Sequence, residues 1–155
     1  MSAVKIYLIE NGQLAHYMDS EASVRKDVLA ALRWLHKQMT ESGWRNVNPP
    51  ETLVDHCMQE YMFLYVGNSI IAVDVVEPWF VAETVLAEEF NAPFAGDTGA
   101  DVSEITAAMA IMAAAAGCTM YSLGTRANTR QRGLARLFEK TGARLSTIEL
   151  VKELP

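Results

Sequence analysis

The sequence predicts a single α/β domain over residues 1–155, a mixed sheet with helices on both faces. Three observations predict it. Two stretches of helical apolar spacing follow an alternating N-terminal run. Two β-rich runs are then divided by Gly67-Asn68, the signature of a two-residue hairpin. Finally, an Ala-rich helical stretch joins two further β-rich runs, which predicts a parallel pair with a right-handed crossover.

Each element has its own reason. Residues 3–10 alternate as a strand does, and Asn11-Gly12 stops them. From about 20 to 42, Val24, Val28, Ala31, Leu32, Leu35 and Met39 recur at helical spacing, with Gly43 as the stop. Asn48-Pro49-Pro50-Glu51 reads as a helix start, with Asn48 as cap, Pro49 in the first helical position and Glu51 three residues after the cap. Leu53, Val54, Cys57, Met58 and Tyr61 form that helix's apolar face.

Residues 60–66 and 69–77 are the hairpin strands, and 82–90 a third strand after Pro78-Trp79. Residues 91–101 form a loop. Asp101 and Glu104 make an acidic capping box ahead of Val102, Ile105, Met109, Met112 and Ala116, and Gly117 is a left-handed stop. Residues 119–125 read as a strand. Asn128 or Thr129 opens a last helix with Leu134, Leu137 and Phe138 inward and Gly142 at its end, and 144–152 form a last strand.

Charge narrows the function classes. The net charge is −6 over 155 residues, which argues against general nucleic-acid or anionic-membrane binding. Between Arg45 and Arg126 there is no Lys or Arg, yet eleven acids. From Arg126 to Arg144 the sign reverses, with Arg126, Arg130, Arg132, Arg136, Lys140 and Arg144 against Glu139 alone. A chain so divided suits an anion at the basic end and a cation along the acidic strands. No apolar run reaches membrane-spanning length, no secretion signal is visible, and Cys57 and Cys118 are too few for a disulfide framework. The expected location is the cytoplasm. His16, His36 and His56 are scattered, so no zinc site is expected, and no Walker loop, dinucleotide fingerprint or Gly-x-Ser-x-Gly elbow is present.

The run Leu137-Phe138-Glu139-Lys140-Thr141-Gly142-Ala143, closing a helix at this point in the element order, resembles the GNAT family of acyl-CoA-dependent N-acetyltransferases, whose members often carry Leu-Tyr-Glu-Lys-Leu-Gly-Phe there. The topology resembles that family over most of the chain, the sequence over about residues 105–153. The flavour is that of divergent acetyltransferase-like proteins of short-tailed bacteriophages, which implies the host cytoplasm or a virion. The resemblance implies a GNAT-like sheet whose central parallel strands, 82–90 and 119–125, splay to admit the pantetheine arm of acetyl-CoA. It implies an amine acceptor, and a pyrophosphate on backbone N–H groups of the loop 93–101, with Gly96, Thr98, Gly99 and Ala100 closest. Asn128, Arg130 and Arg132 would hold the phosphates. Glu83 or Glu89 would take the amine proton, Glu88 lying on the opposite strand face by alternation. Tyr121 would protonate the leaving thiolate if it faces the cleft.

Three residue-level departures define a second reading. No Arg or Gln precedes the loop glycines, and Asp97, Asp101 and Glu104 stand where the pyrophosphate would sit. At an effective dielectric near 20, like charges about 5 Å apart cost roughly 3 kcal/mol, less where solvated. Phe138 replaces the family's Tyr and has no proton to give. A single terminal run stands where the family has a strand pair. The second reading is a catalytically silent GNAT-fold bacteriophage virion component or partner-binding module, forming a homo-oligomer or docking on a virion partner.

Overall fold

A computed structural model describes residues 6–16, 20–79, 82–124, 131–144 and 152. The strands are β1 (Ile6–Glu10), β2 (Gln13–His16), β3 (Met62–Val66), β4 (Ser69–Val76), β5 (Val85–Pro93) and β6 (Met120–Ser122). The helices are α1 (Glu21–Glu41), α2 (Pro50–Glu60), α3 (Val102–Ala115) and α4 (Gln131–Glu139). The six strands form one mixed sheet in the order β2-β1-β3-β4-β5-β6. β1–β3 and β5–β6 are the parallel pairs.

Alternation in the middle strands separates two cores. Phe63, Tyr65, Ile70 and Ala72 pack under Val24, Val28, Ala31 and Leu32 of α1 and Val54, Cys57 and Met58 of α2. Their neighbours Leu64, Val66, Ile71 and Val73 pack on the opposite face against Ile105, Ala108, Met109 and Met112 of α3. Helices therefore cover both faces, and residues 63–66 of β3 and 70–73 of β4 read as continuous apolar runs because neither face meets water there. α3 starts on Asp101, whose carboxylate accepts from the Glu104 N–H at 2.9 Å. It ends at Gly117, φ +74°, with the Cys118 N–H bonded back to the Ala113 carbonyl at 2.8 Å. Both cysteines are buried and free.

Several sequence expectations need correction. Asn11-Gly12 does end the first strand, at Glu10, but it also turns the chain back into a hairpin partner absent from the sequence expectation. Both residues take positive φ, 52° and 74°, the geometry of a type I′ hairpin turn, and β2 pairs back on β1. The cap of α2 is Pro49, not Asn48, and Pro50 takes the first helical position. A residue before proline is kept out of the helical region, so Pro49, with ψ 137°, cannot itself begin the helix. Glu60 belongs to α2 and not to the following strand. The third strand is shifted to Val85–Pro93 because 91–93 pair with Ser69–Ile71 of β4. Among the described residues of the expected 119–125 strand, Met120–Ser122 form β6. Among the described strands β6 is the edge, not a central strand. Leu137 is 47% exposed and faces outward, whereas Phe138 is buried. The expected start of α4 at Asn128 or Thr129 and nearly all of the 144–152 run lie outside the described residues.

Two irregularities of β5 position the site. The first is a bulge: Ala72 pairs with Phe90 but Val73 with Glu88, leaving Glu89 as an extra residue. The bulge reverses the strand's parity. Leu86 belongs to the α3-side core, while Phe90 and Ala92 join the α1/α2-side core. The second is the brevity of the parallel pairing. β5 pairs with β6 only at Val85↔Met120, Leu86↔Tyr121 and Ala87↔Ser122, and then runs on to Pro93 without it.

Candidate functional site

Where β5 outruns β6, a cavity of about 790 Å³ opens. Its walls come from α1 (Trp34, Leu35, Met39), from β5 (Glu88 to Pro93), from the loop 97–101 with the start of α3, and from Phe138 of α4.

Glu88 bridges the two strands where their main-chain pairing stops. Its Oε1 accepts from the Gly124 N–H at 3.3 Å. Its Oε2 is shut off from solvent and has no hydrogen-bond partner. The residue keeps some exposed surface, but that exposure does not reach Oε2. Desolvation disfavours the charged carboxylate and pushes its pKa up to about 7. The Gly124 N–H opposes that shift and the nearby charge of Glu89 adds to it. A carboxyl poised near neutrality on a cavity wall can both accept and return a proton.

The opposite wall is tied to the β3–β4 hairpin. Asn68, in the hairpin turn, donates through its side-chain amide to the Ala95 carbonyl at 3.0 Å and also to the Thr98 carbonyl. Its own carbonyl accepts from the Phe94 N–H at 3.0 Å. Ser69 is buried, and its Oγ accepts from the Ala100 N–H at 2.8 Å. Gly99 passes so close that a Cβ there would sit 2.5 Å from the Ser69 Oγ. That contact, and not an unusual φ, is why the position suits glycine. Asp101 is exposed, and its carboxyl is held below the usual range by the Glu104 N–H and the Ser103 hydroxyl.

Glu89 sits between this cavity and a smaller one of about 240 Å³, lined by His36, His56, Cys57 and Tyr61 among others. Burial, with a smaller contribution from the Glu89 charge, raises the Cys57 thiol to about 11 and also moves the Tyr61 phenol upward. Cys57 is thus a protonated, unreactive thiol at neutral pH. Among the described residues, no group of three His, Cys, Asp or Glu is placed to hold a metal ion.

The structure gathers Glu89, Thr98, Gly99 and Ala100 on the cavity wall. Three other candidates stand apart from it. Glu83 lies before β5, exposed, accepting a hydrogen bond from the Thr119 hydroxyl. Tyr121 packs against the α3-side core. Gly96, φ +73°, turns the loop outside the cavity lining. Asn128 and Arg130 lie outside the described residues, as does the side chain of Arg132. Asn68 and Ser69 escaped sequence reading because their partners are some 30 residues away. Nothing local marks Ser69 apart from its place directly after the turn.

No family model, curated protein or solved structure matches this chain. No helix among the described residues is long and apolar enough to cross a membrane.

Proposed function

We propose that the protein transfers an acetyl group from acetyl-CoA to an amine, with Glu88 as the general base. The observation that carries this reading is the Glu88 carboxyl itself, buried on one oxygen, titrating near pH 7 and standing where β5 and β6 cease to pair. The gap is where the resemblance to GNAT acetyltransferases lays the thioester arm. The amine nitrogen attacks the thioester carbonyl carbon, the C–N bond forms as C–S breaks, and the nitrogen's proton passes to Glu88. The departing thiolate takes its proton from water, because Phe138 on the cavity wall has none to give. A base near pH 7 is matched to this task, and such catalysis contributes about 10²–10⁴-fold. Release of free CoASH from acetyl-CoA, followed with a thiol reagent across a panel of amines, tests the reading. Turnover that requires both substrates and falls in Glu88→Gln supports it. No release with any amine at millimolar acetyl-CoA removes it.

One set of observations favours the second reading, a catalytically silent virion component or partner-binding module. Asp97 and Asp101 line the cavity, no Lys or Arg does so among the described residues, and Asp101 already occupies the Glu104 N–H that an anion would use. Calorimetry with acetyl-CoA on wild type and Asp97→Arg separates the two. The acetyltransferase reading expects saturable binding that tightens in the variant as repulsion becomes attraction. Silence in both proteins favours the module.

A further inference from the structure

The smaller cavity has a floor and a rim of different chemistry. It lies between α1, the loop after that helix, α2 and β5, and its volume is about 240 Å³. Leu32 and Cys57 are buried in its lining, with Leu53 and Phe90 half-buried, and these define an apolar floor. Asn48, His56 and Glu89 are the exposed lining residues and define a polar rim. Size sets the first limit on an occupant, since an apolar cavity of about 150 Å³ takes up benzene. A volume of about 240 Å³ therefore has room for one ring with a small substituent.

One rim group is placed there by an irregularity of the sheet. Glu89 is the extra residue of the β5 bulge, and bulges re-aim side chains. Its charge contributes to the upward shifts of the Cys57 thiol and the Tyr61 phenol, so the carboxylate lies within electrostatic reach of both. We infer that this pocket binds a small neutral aromatic molecule of the phenol class, the ring on the apolar floor and the hydroxyl donating to Glu89. Phe90, Tyr61 and the Met39 thioether offer the ring and sulfur contacts that an aromatic guest favours. His56 is held edge-on to the Tyr61 ring, with centroids 5.7 Å apart, and it and Asn48 can donate to the hydroxyl oxygen. A hydroxyl suits this rim better than a charged group. An exposed carboxylate holds an ammonium only weakly, and an ammonium costs more to take from water than a hydroxyl does. A ligand carboxylate would meet the charge of Glu89.

The site is separate from the one assigned to acetyl transfer. Leu32, Val47 and Leu53 line the small cavity and not the large one, whereas Val102 and Ile105 line the large one and not the small. Binding of the phenol therefore stands whether or not the large cavity holds acetyl-CoA. The methyl groups of these two sets of residues report which cavity is filled.

The test is titration of the full chain with 4-methylphenol near neutral pH, followed by methyl NMR. Phenols titrate near pH 10, at about the value of tyrosine, so the probe is uncharged. The expected result is a saturable shift of the Leu32, Val47 and Leu53 methyl signals, with Val102 and Ile105 unmoved. Toluene, which lacks the hydroxyl, should bind about three- to tenfold more weakly. The cation 4-methylbenzylamine and the anion 4-methylbenzoate should also bind more weakly than the phenol. Val47→Phe, which fills the pocket from the loop, should abolish the shifts at Leu32 and Leu53. Glu89→Leu should bring phenol and toluene to within about twofold of each other. No saturable shift at millimolar phenol, shifts at Val102 and Ile105 in place of the first set, equal or tighter binding of any control, or an undiminished hydroxyl advantage in Glu89→Leu would each overturn the inference. Should either variant fail to fold, the wild-type shifts and the order of the four probes decide by themselves.

Discussion

β5 is two strands in one. Its first three residues, Val85 to Ala87, are paired on both sides, to β4 and to β6. Its remainder keeps β4 but has lost β6, and there the exposed side of the strand faces a cavity. In the first half Leu86 is fully buried in a core and its main chain is satisfied by neighbours. In the second half the side chain of Glu88 reaches Gly124 where the β5–β6 ladder has ended. The difference teaches that stability and chemistry are kept in adjacent residues of one strand. Packing is spent on the first half, and the second carries an unsatisfied group that packing alone would have eliminated.

The largest effect expected from breaking this contrast is Leu86→Ala. Deleting a fully buried Leu from the doubly paired half should cost about 3–5 kcal/mol in urea denaturation. A loss below about 1 kcal/mol would show the two halves to be equally soft. Next is the pH dependence contributed by Glu88. The folded state holds this proton more tightly than the unfolded chain, so between pH 4.5 and 7 the folded state binds more protons and stability falls as pH rises. The whole effect is up to about 3 kcal/mol, complete above pH 7. Glu88→Gln should therefore be more stable than wild type at pH 8 and lose that advantage by pH 4, measured as the difference between paired denaturation curves. The same variant should lower kcat/KM for acetyl transfer by about a hundredfold while its melting temperature at pH 8 holds or rises. A structural role alone would lower both. The smallest effect concerns the facing wall. Gly99→Ala should cost about 1–3 kcal/mol through its clash with the Ser69 Oγ, and much less in a Ser69→Ala background, where the next nearest atom is Pro93 Cδ at 3.7 Å. Additive losses in that cycle would break the assigned contact.

What could be read from the sequence follows from how local its causes are. The spacing of Val24, Val28, Ala31 and Leu32, the cap at Asp101 and the stop at Gly117 act within one or two turns, and each lies where its neighbours in sequence place it. Asn11-Gly12 was equally local, but the same pair punctuates a strand or reverses it, and the apolar residues of Gln13–His16 are too few to tell which. The carboxylates of β5 were harder. Alternation puts Glu88 and Glu89 on opposite faces and lets only one of them reach a cleft, yet both line the larger cavity, because the bulge at Glu89 interrupts the alternation. Which of them is desolvated depends on the bulge opposite Ala72/Val73 and on where β6 stops, both settled by pairing between segments far apart in sequence. Glu83 fell outside the strand for the related reason that β4 pairs with 85–93 instead of 82–90.

The side-chain amide and main-chain carbonyl of Asn68 and the hydroxyl of Ser69 give the cavity a mechanical character. They clamp the 94–100 segment to the tip of the β3–β4 hairpin at Phe94, Ala95, Thr98 and Ala100, so that side acts as a fixed jaw. Any widening to admit a guest has to come from the helices opposite, and a spectroscopic label on α1 or α4 will register entry where one on the hairpin stays silent.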